Sequence, residues 1–142
     1  MDSLRSQNSV GIHIRRGDYL RNPFHGVLPL EYYEVAMDYF RARISQPVFY
    51  CFTDDPKWVR DTFPLSSHFI LCSDNYSKSD FHDLQLMATC RHQIIANSTF
   101  SWWAAWLNAN PDKIVIAPNR WFSQSENSFS TGCMVPSSWL RF

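Results

Sequence analysis

The sequence has no excess of charge of either sign. Its 142 residues include 13 lysines and arginines and 13 aspartates and glutamates, so the formal net charge is zero. A protein that binds nucleic acid through many phosphates needs a basic surface, which this composition does not supply. We therefore expect no nucleic acid partner, and any anion must be recognised by a local group of cations.

Long hydrophobic runs are also missing. No stretch of 18 apolar residues occurs, so the sequence predicts no membrane-spanning helix. Residues 1–9 read as a polar lead-in without the apolar centre of a secretory signal. We assign residues 10–142 to one domain, which is long enough to enclose a hydrophobic core.

The cysteines lack the CxxC spacing of metal and redox sites. Cys51, Cys72 and Cys90 lie inside apolar runs, and the fourth cysteine is Cys133. This distribution predicts free, buried thiols in a reducing compartment. We expect neither a disulfide nor a metal site.

Short apolar segments alternate with segments of helical period. Strands are predicted near Val10–Ile14, Val48–Phe52, His68–Cys72, Gln93–Ala96 and Lys113–Ala117, and helices near 30–44, 56–63, 80–88 and 102–107. This alternation is typical of an α/β fold, a Rossmann-like parallel sheet with helices on both faces. Ligands of such sheets bind beyond the carboxyl ends of the strands.

The first strand leads directly into two arginines. Alternation along the strand predicts that His13 and Arg15 share one face, while Arg16 lies on the other. Because buried guanidinium groups need an anion, we expect a diphosphate at this strand end. The alternative is ion pairing of the arginines with aspartates 18, 54 and 55. Gly17 is expected to allow a sharp turn through a positive φ.

A polar junction, Asn97-Ser98-Thr99-Phe100-Ser101, follows the fourth strand and precedes a helix. Free backbone N–H groups at a helix N-terminus favour anions, so the junction predicts a second contact for the same phosphates. These residue types also serve as ordinary N-caps, and the two roles are compatible.

Three carboxylates leave alternatives open. Asp83 falls within a predicted helix, where an aspartate is usually solvated, although a carboxylate can also accept the paired N–H donors of guanine. Asp54 and Asp55 resemble an acidic metal pair, but the following Pro56 favours helix capping.

Two further patterns have competing interpretations. Trp102, Trp103 and Trp106 can stack on sugars, but at helical spacing they are expected to pack against the sheet. Arg16-Gly17-Asp18 is also the integrin-recognition tripeptide, which would need a protruding loop rather than the end of a buried strand.

Three blocks of residues together resemble the signature motifs of the α1,2-fucosyltransferases, glycosyltransferase family 11. They are His13–Tyr19; Asp83–Met87 with Ile95–Trp103; and Ile116–Pro118 with Trp121-Phe122. The resemblance implies a GT-B-like enzyme that moves L-fucose from GDP-fucose to the 2-hydroxyl of a terminal galactose, with inversion and without a metal or other cofactor.

The resemblance also implies residue roles. Arg15 would bind the β-phosphate, Asp83 the guanine, and His13 and Asp18 would line the nucleotide site. Arg16 is a further candidate, and the phosphate-contacting junction would comprise Asn97, Ser98, Thr99, Phe100 and Ser101. Arg15 and Asp18 are the candidate catalytic residues. The candidate bases are Asp18, His25 and the departing phosphate.

Relative to that family, the chain resembles the C-terminal, donor-binding half. The preceding half of the family opens with a glycine-rich motif and helps to form the acceptor side, and residues 1–9 contain nothing similar. The alternative function is therefore a module that binds GDP-fucose without transferring it. The expected location is the bacterial cytoplasm, or the lumenal side of the Golgi membrane if an N-terminal anchor was lost.

Overall fold

The computed structural model describes residues 2–6, 8–73, 79–122 and 134–142. In these residues six strands form one parallel sheet in the order β3-β2-β1-β4-β5-β6. The strands are β1 Ser9–Ile14, β2 Val48–Thr53, β3 Phe69–Leu71, β4 His92–Ile94, β5 Val115–Ala117 and β6 Leu140–Arg141. The Rossmann-like α/β architecture predicted from the sequence is confirmed.

The helices connect these strands. They are α1 Asp2–Ser6, α2 Leu30–Arg41, α3 Pro56–Thr62, α4 Asp80–Thr89 and α5 Thr99–Leu107, with a 3-10 turn at Asp18–Arg21. Asp55 caps α3, since its side chain accepts a hydrogen bond from the Trp58 backbone at 3.1 Å and Pro56 occupies the first helical position. The preference for capping over a metal role at Asp55 is thus supported by geometry.

The central strand β1 is buried on both faces. Its Val10, Ile12 and Ile14 pack in one core cluster with buried residues of α2 and with Val59 of α3. On the opposite face Gly11 lies against α4, where a Cβ on Gly11 would be 3.2 Å from Met87 Cγ. Gly11 therefore lets α4 pack closely on β1, the strand that leads to Arg15.

Two elements were not predicted. The polar lead-in contains α1, whose Leu4 is buried against the core, and β1 begins at Ser9 rather than Val10. At the other end β6 adds a sixth strand, in which Leu140 pairs with Ile116. Both are too short to show a hydrophobic period, and tertiary contacts hold them in place.

The predicted position of the tryptophans was wrong for two of the three. Trp103 and Trp106 are 50% and 53% exposed, and α5 instead packs on the sheet through Ser101, Ala104 and Ala105. Trp102 alone is half-buried against the core, and its indole Nε1 donates to the Met134 carbonyl at 2.7 Å. Small residues allow α5 to approach the sheet closely, so the indoles are left outside.

The described cysteines match the prediction. Cys51, Cys72 and Cys90 are free and buried, and burial raises the pKa of the Cys72 thiol to about 12. Cys133 lies outside the described residues. Across the described ranges, no helix combines the length and apolar character that crossing a membrane requires.

Candidate anion-binding site

Arg15 follows the end of β1 and is held by two carboxylates. Its Nη2 donates to Asp18 Oδ1 at 2.8 Å, and its Nε lies 3.4 Å from Asp54 Oδ2. The second contact is an ion pair without hydrogen-bond geometry, because Arg15 Nε has no hydrogen-bond acceptor among the described residues. The guanidinium also lies 5.0 Å from the centre of the Tyr19 ring. The alternative of ion pairing is therefore realised for Arg15.

Gly17 is needed for space, which corrects the expectation of a positive φ. Its φ is −18° and its ψ is −97°, so the left-handed region is not used. A Cβ at this position would lie 2.5 Å from Asp54 Oδ2. The missing side chain lets the Asp54 carboxylate reach the backbone, where Oδ1 accepts from the Arg16 N–H at 2.9 Å.

Arg16 extends away from Arg15, as the alternation of faces predicts. Its guanidinium lies 4.1 Å from the centre of the Trp58 ring, and its Nε is 3.4 Å from Asp55 Oδ2. The adjacent arginines therefore contact different groups, and the geometry gives Arg16 a structural part. Because Arg16 is held by Trp58 and Asp55, the adhesion alternative is disfavoured at this residue, while Gly17 and Asp18 are exposed. A contact between Arg16 and the donor stays a prediction.

His13 is buried near the carboxyl end of the central strand β1. Its ring packs against Phe100 of α5 with 5.0 Å between centroids, and its Nδ1 has no hydrogen-bond partner among the described residues. Burial, followed by the nearby Arg15 charge, lowers the pKa of His13 to about 3. At neutral pH the imidazole is uncharged and links the arginine strand to the N-terminus of α5.

The junction after β4 contains two side chains that are held by hydrogen bonds, those of Asn97 and Ser101. Asn97 Nδ2 donates to the carbonyls of His25, Gly26 and Trp121. Ser101 is fully buried, and its hydroxyl accepts from the Ala96 N–H at 3.2 Å. These bonds show Asn97 and Ser101 as positioning groups, and their direct contact with a donor stays a prediction.

Ser98 occupies the N-cap of α5 but makes no capping hydrogen bond through its side chain among the described residues. The capping expectation is therefore wrong for Ser98. Thr99 is exposed and Phe100 half-buried. The first backbone N–H groups of a helix have no intrahelical acceptor, so this end of α5 can receive an anion.

Tyr19 joins the arginine segment to that junction. Its hydroxyl donates to the Asn97 carbonyl at 3.2 Å, and its ring stacks on His25 at 4.6 Å and 7°. His25 Nδ1 has no hydrogen-bond partner in the described part of the chain. His25, a candidate base, is therefore separated from Arg15 by the ring of Tyr19.

Asp83 is buried in the first turn of α4, so its interpretation as a solvated residue is wrong. The Ser73 hydroxyl donates to Asp83 Oδ2 at 3.4 Å and accepts from the Thr53 N–H at 2.8 Å. This chain of bonds places Asp83 beside the carboxyl ends of β2 and β3. The predicted residues thus follow one sheet edge, from Asp83 through Arg15 to α5.

Sequence reasoning missed how Asp54 and Tyr19 organise this edge. Asp54 was named only as a possible ion-pair partner and Tyr19 only as the last residue of the first motif, whereas their hydrogen bonds to the Arg16 N–H and to the Asn97 carbonyl span 38 and 78 residues. Among the described residues, no group of three or more His, Cys, Asp or Glu side chains could hold a metal ion.

Fold and site together define an α/β domain whose cationic and helix-terminal groups meet at the carboxyl edge of a parallel sheet. The family model described as glycosyl transferase family 11 matches residues 1–136. The chain belongs to glycosyltransferase family 11, as its motifs indicated.

Three relatives show what the chain is similar to. It is 43% identical over 125 residues to the O-antigen biosynthesis glycosyltransferase WbnK of Escherichia coli, covering 85% of this chain and 41% of the relative. It is 38% identical to an alpha-1,2-colitosyltransferase of Escherichia coli, covering 99% and 49%, and 37% identical to galactoside alpha-(1,2)-fucosyltransferase 1 of Bos taurus, covering 88% and 35%. The chain therefore spans less than half the length of these relatives. No solved structure gives a significant match.

Proposed function

We propose that this chain binds GDP-fucose and supplies the donor side of a galactoside 2-α-L-fucosyltransferase. One observation carries the proposal: Arg15 and the N-terminus of α5 are joined at one sheet edge through Tyr19 and through the contact between His13 and Phe100. A guanidinium and a helix N-terminus form a suitable receptor for a diphosphate. Family membership and the bovine relative's name indicate the sugar and the linkage.

The proposed reaction is an inverting displacement at the anomeric carbon of fucose. The galactose 2-oxygen attacks, the bond to the β-phosphate breaks, and GDP departs with the electron pair. Arg15 and the N–H groups of α5 stabilise the charge that develops on the leaving phosphate, which is an electrostatic contribution to catalysis.

The proton of the acceptor hydroxyl needs a base. Asp18 and His25 are the two side-chain candidates, since Asp18 pairs with Arg15 and His25 stacks on the Tyr19 ring that Arg15 contacts, and the departing phosphate is the third candidate. Replacing each in turn, Asp18→Asn and His25→Gln, separates them: the base variant loses turnover while GDP binding persists.

The donor sugar has an alternative, because one bacterial relative is named a colitosyltransferase. Comparing GDP-fucose with GDP-colitose at equal concentration decides between them. The proposed acceptor is a glycan with a terminal galactose.

The deciding experiment incubates the chain with radiolabelled GDP-fucose and a terminal β-galactoside, and analyses the product linkage by NMR. An α1,2-linked fucosyl product supports the proposal, and Arg15→Ala should abolish it. Calorimetric binding of GDP-fucose without product supports the alternative, a donor-binding module. Absence of both binding and transfer overturns the two.

For location, we propose the cytoplasm of a bacterial cell, since two of the relatives are bacterial. The lumenal face of the Golgi membrane is the alternative that the mammalian relative suggests. Fractionation of the source cells distinguishes the two.

A further inference from the structure

The two carboxylates that hold Arg15 differ in how firmly they are themselves held. Both contact the same guanidinium, Asp18 at Nη2 and Asp54 at Nε. The Asp18 side chain is 69% exposed, whereas that of Asp54 is 28% exposed. This difference assigns them different parts when an anion arrives.

Asp54 is fixed by a second bond. While its Oδ2 faces Arg15, its Oδ1 accepts the backbone N–H of Arg16 at 2.9 Å. Gly17 leaves the space into which this carboxylate fits. Moving Asp54 would break this hydrogen bond together with its contact to Arg15, so two interactions oppose the movement.

Asp18 has no such second anchor. Its carboxylate bonds to Arg15 Nη2, and the structure shows no other side-chain hydrogen bond for it among the described residues. It begins the 3-10 turn that follows Gly17, at the surface. Solvent can replace Arg15 as its partner at little cost, because exposed ion pairs contribute little net free energy.

A diphosphate that approaches Arg15 therefore competes with Asp18 for the Nη2 face. We propose that Asp54 is the positioning residue that holds Arg15 in place for the donor's diphosphate, and that Asp18 is an exchangeable partner which the diphosphate displaces. This rests on the nucleotide-diphosphate site proposed above. The exchange leaves the Asp18 carboxylate free beside the donor as the donor binds.

The exchange predicts opposite effects of removing the two carboxylates. Titration calorimetry with GDP on the whole chain, at fixed ionic strength, measures both variants. Asp18→Asn removes the competitor, so GDP should bind about two- to fivefold tighter, which is the range that one exposed ion pair supplies. Asp54→Asn removes the negative charge that faces Arg15 and places an amide N–H₂ there, so GDP should bind at least about fivefold more weakly.

Two controls separate this from general charge and folding effects. Asp61→Asn removes an exposed aspartate whose ion-pair partner is Lys57, and GDP affinity should not change. In an Arg15→Lys background, which keeps the charge but loses the guanidinium fork, Asp18→Asn should no longer tighten GDP binding. Thermal unfolding of Asp54→Asn confirms that a weaker affinity belongs to a folded protein.

The outcomes are distinguishable from failure of the proposed function. If the wild type binds GDP but Asp18→Asn binds it equally or more weakly, the exchange is wrong. If Asp54→Asn stays folded and binds GDP more tightly, as Asp18→Asn is expected to do, the positioning part is wrong. If the wild type itself does not bind GDP, the proposed function and this inference both fail.

Discussion

The imidazole of His13 packs against the phenyl ring of Phe100, 5.0 Å between centroids, and so joins the strand that carries Arg15 to the first turn of α5. The imidazole in this contact is neutral at neutral pH, because burial and the Arg15 charge both oppose its protonation. A histidine in an arginine-containing motif is a candidate proton donor. His13 cannot act in this way at neutral pH, because its lowered pKa leaves the imidazole unprotonated.

His13 should therefore make folding pH-dependent. Its folded pKa of about 3 lies below the unfolded value of 6.5, so the unfolded state binds more protons between these values. The stabilisation is complete above pH 6.5 and is lost as the pH falls through 6.5 toward 3. From pH 7 to pH 5 we expect the wild type to lose about 2 kcal/mol more unfolding free energy than His13→Gln, in urea titrations. Equal losses in the two proteins would contradict a depressed pKa.

Asp83 should determine the choice of base in the nucleotide. A carboxylate that accepts both N–H donors of guanine distinguishes GDP from inosine diphosphate, which lacks the 2-amino group. We expect the wild type to bind GDP about tenfold tighter, which corresponds to one hydrogen bond to a charged group. Asp83→Asn should lose this preference, while the control Asp80→Asn, at an exposed position in the same helical turn, should keep it. An unchanged preference in Asp83→Asn would remove Asp83 from the guanine site.

Gly17→Ala should displace Asp54, because the new Cβ would lie 2.5 Å from its carboxylate oxygen. We expect a loss of about 1–3 kcal/mol of unfolding free energy, typical of overpacking, together with weaker GDP binding. The shorter side chain in Asp54→Ser provides the control, since adding Gly17→Ala to that variant should cost much less. Additive losses in the double variant would show that the two residues do not compete for the same space.

Neighbouring tryptophans on α5 should respond differently to truncation. Trp102 packs on the core, stacks on Trp106 and donates to a carbonyl, so Trp102→Ala should cost about 3 kcal/mol or more. Trp103 is half exposed, and Trp103→Ala should cost less than about 1 kcal/mol. Chemical denaturation of the two variants measures the difference, and a larger loss for Trp103 would mean that its exposed face is covered.

The parallel sheet was predictable because its strands are apolar and separated by clear helical segments. Each predicted strand centre is present, with ends shifted by a residue or two, as for β4, which spans His92–Ile94 instead of Gln93–Ala96. By contrast, β6 contains two half-buried residues and no period of its own. It is stabilised by pairing with β5, which a local pattern does not encode.

The site was predictable as a location more than as a set of contacts. The order of strands brings Arg15 and the 97–101 junction to one edge, since β1 and β4 are neighbours. Which carboxylate each arginine contacts depends on the path of the chain after β2, and the role of Gly17 depends on where Asp54 lies. The exposed indoles escaped prediction for a related reason: Ala104 and Ala105 determine which side of α5 fits against the sheet.

The register of the central strand has a consequence for the order in which this protein takes shape. Val10 pairs with Phe49 on one side and with His92 on the other, so the pairings of β1 are complete only after the chain has been made beyond His92. Parallel pairings between strands so far apart in sequence form slowly, because the entropy of closing a long loop is lost before the strand contacts contribute favourable free energy. Arg15 and the start of α5 thus come together late in folding. A ligand that bridges them would stabilise the folded state and none of the states that precede this contact.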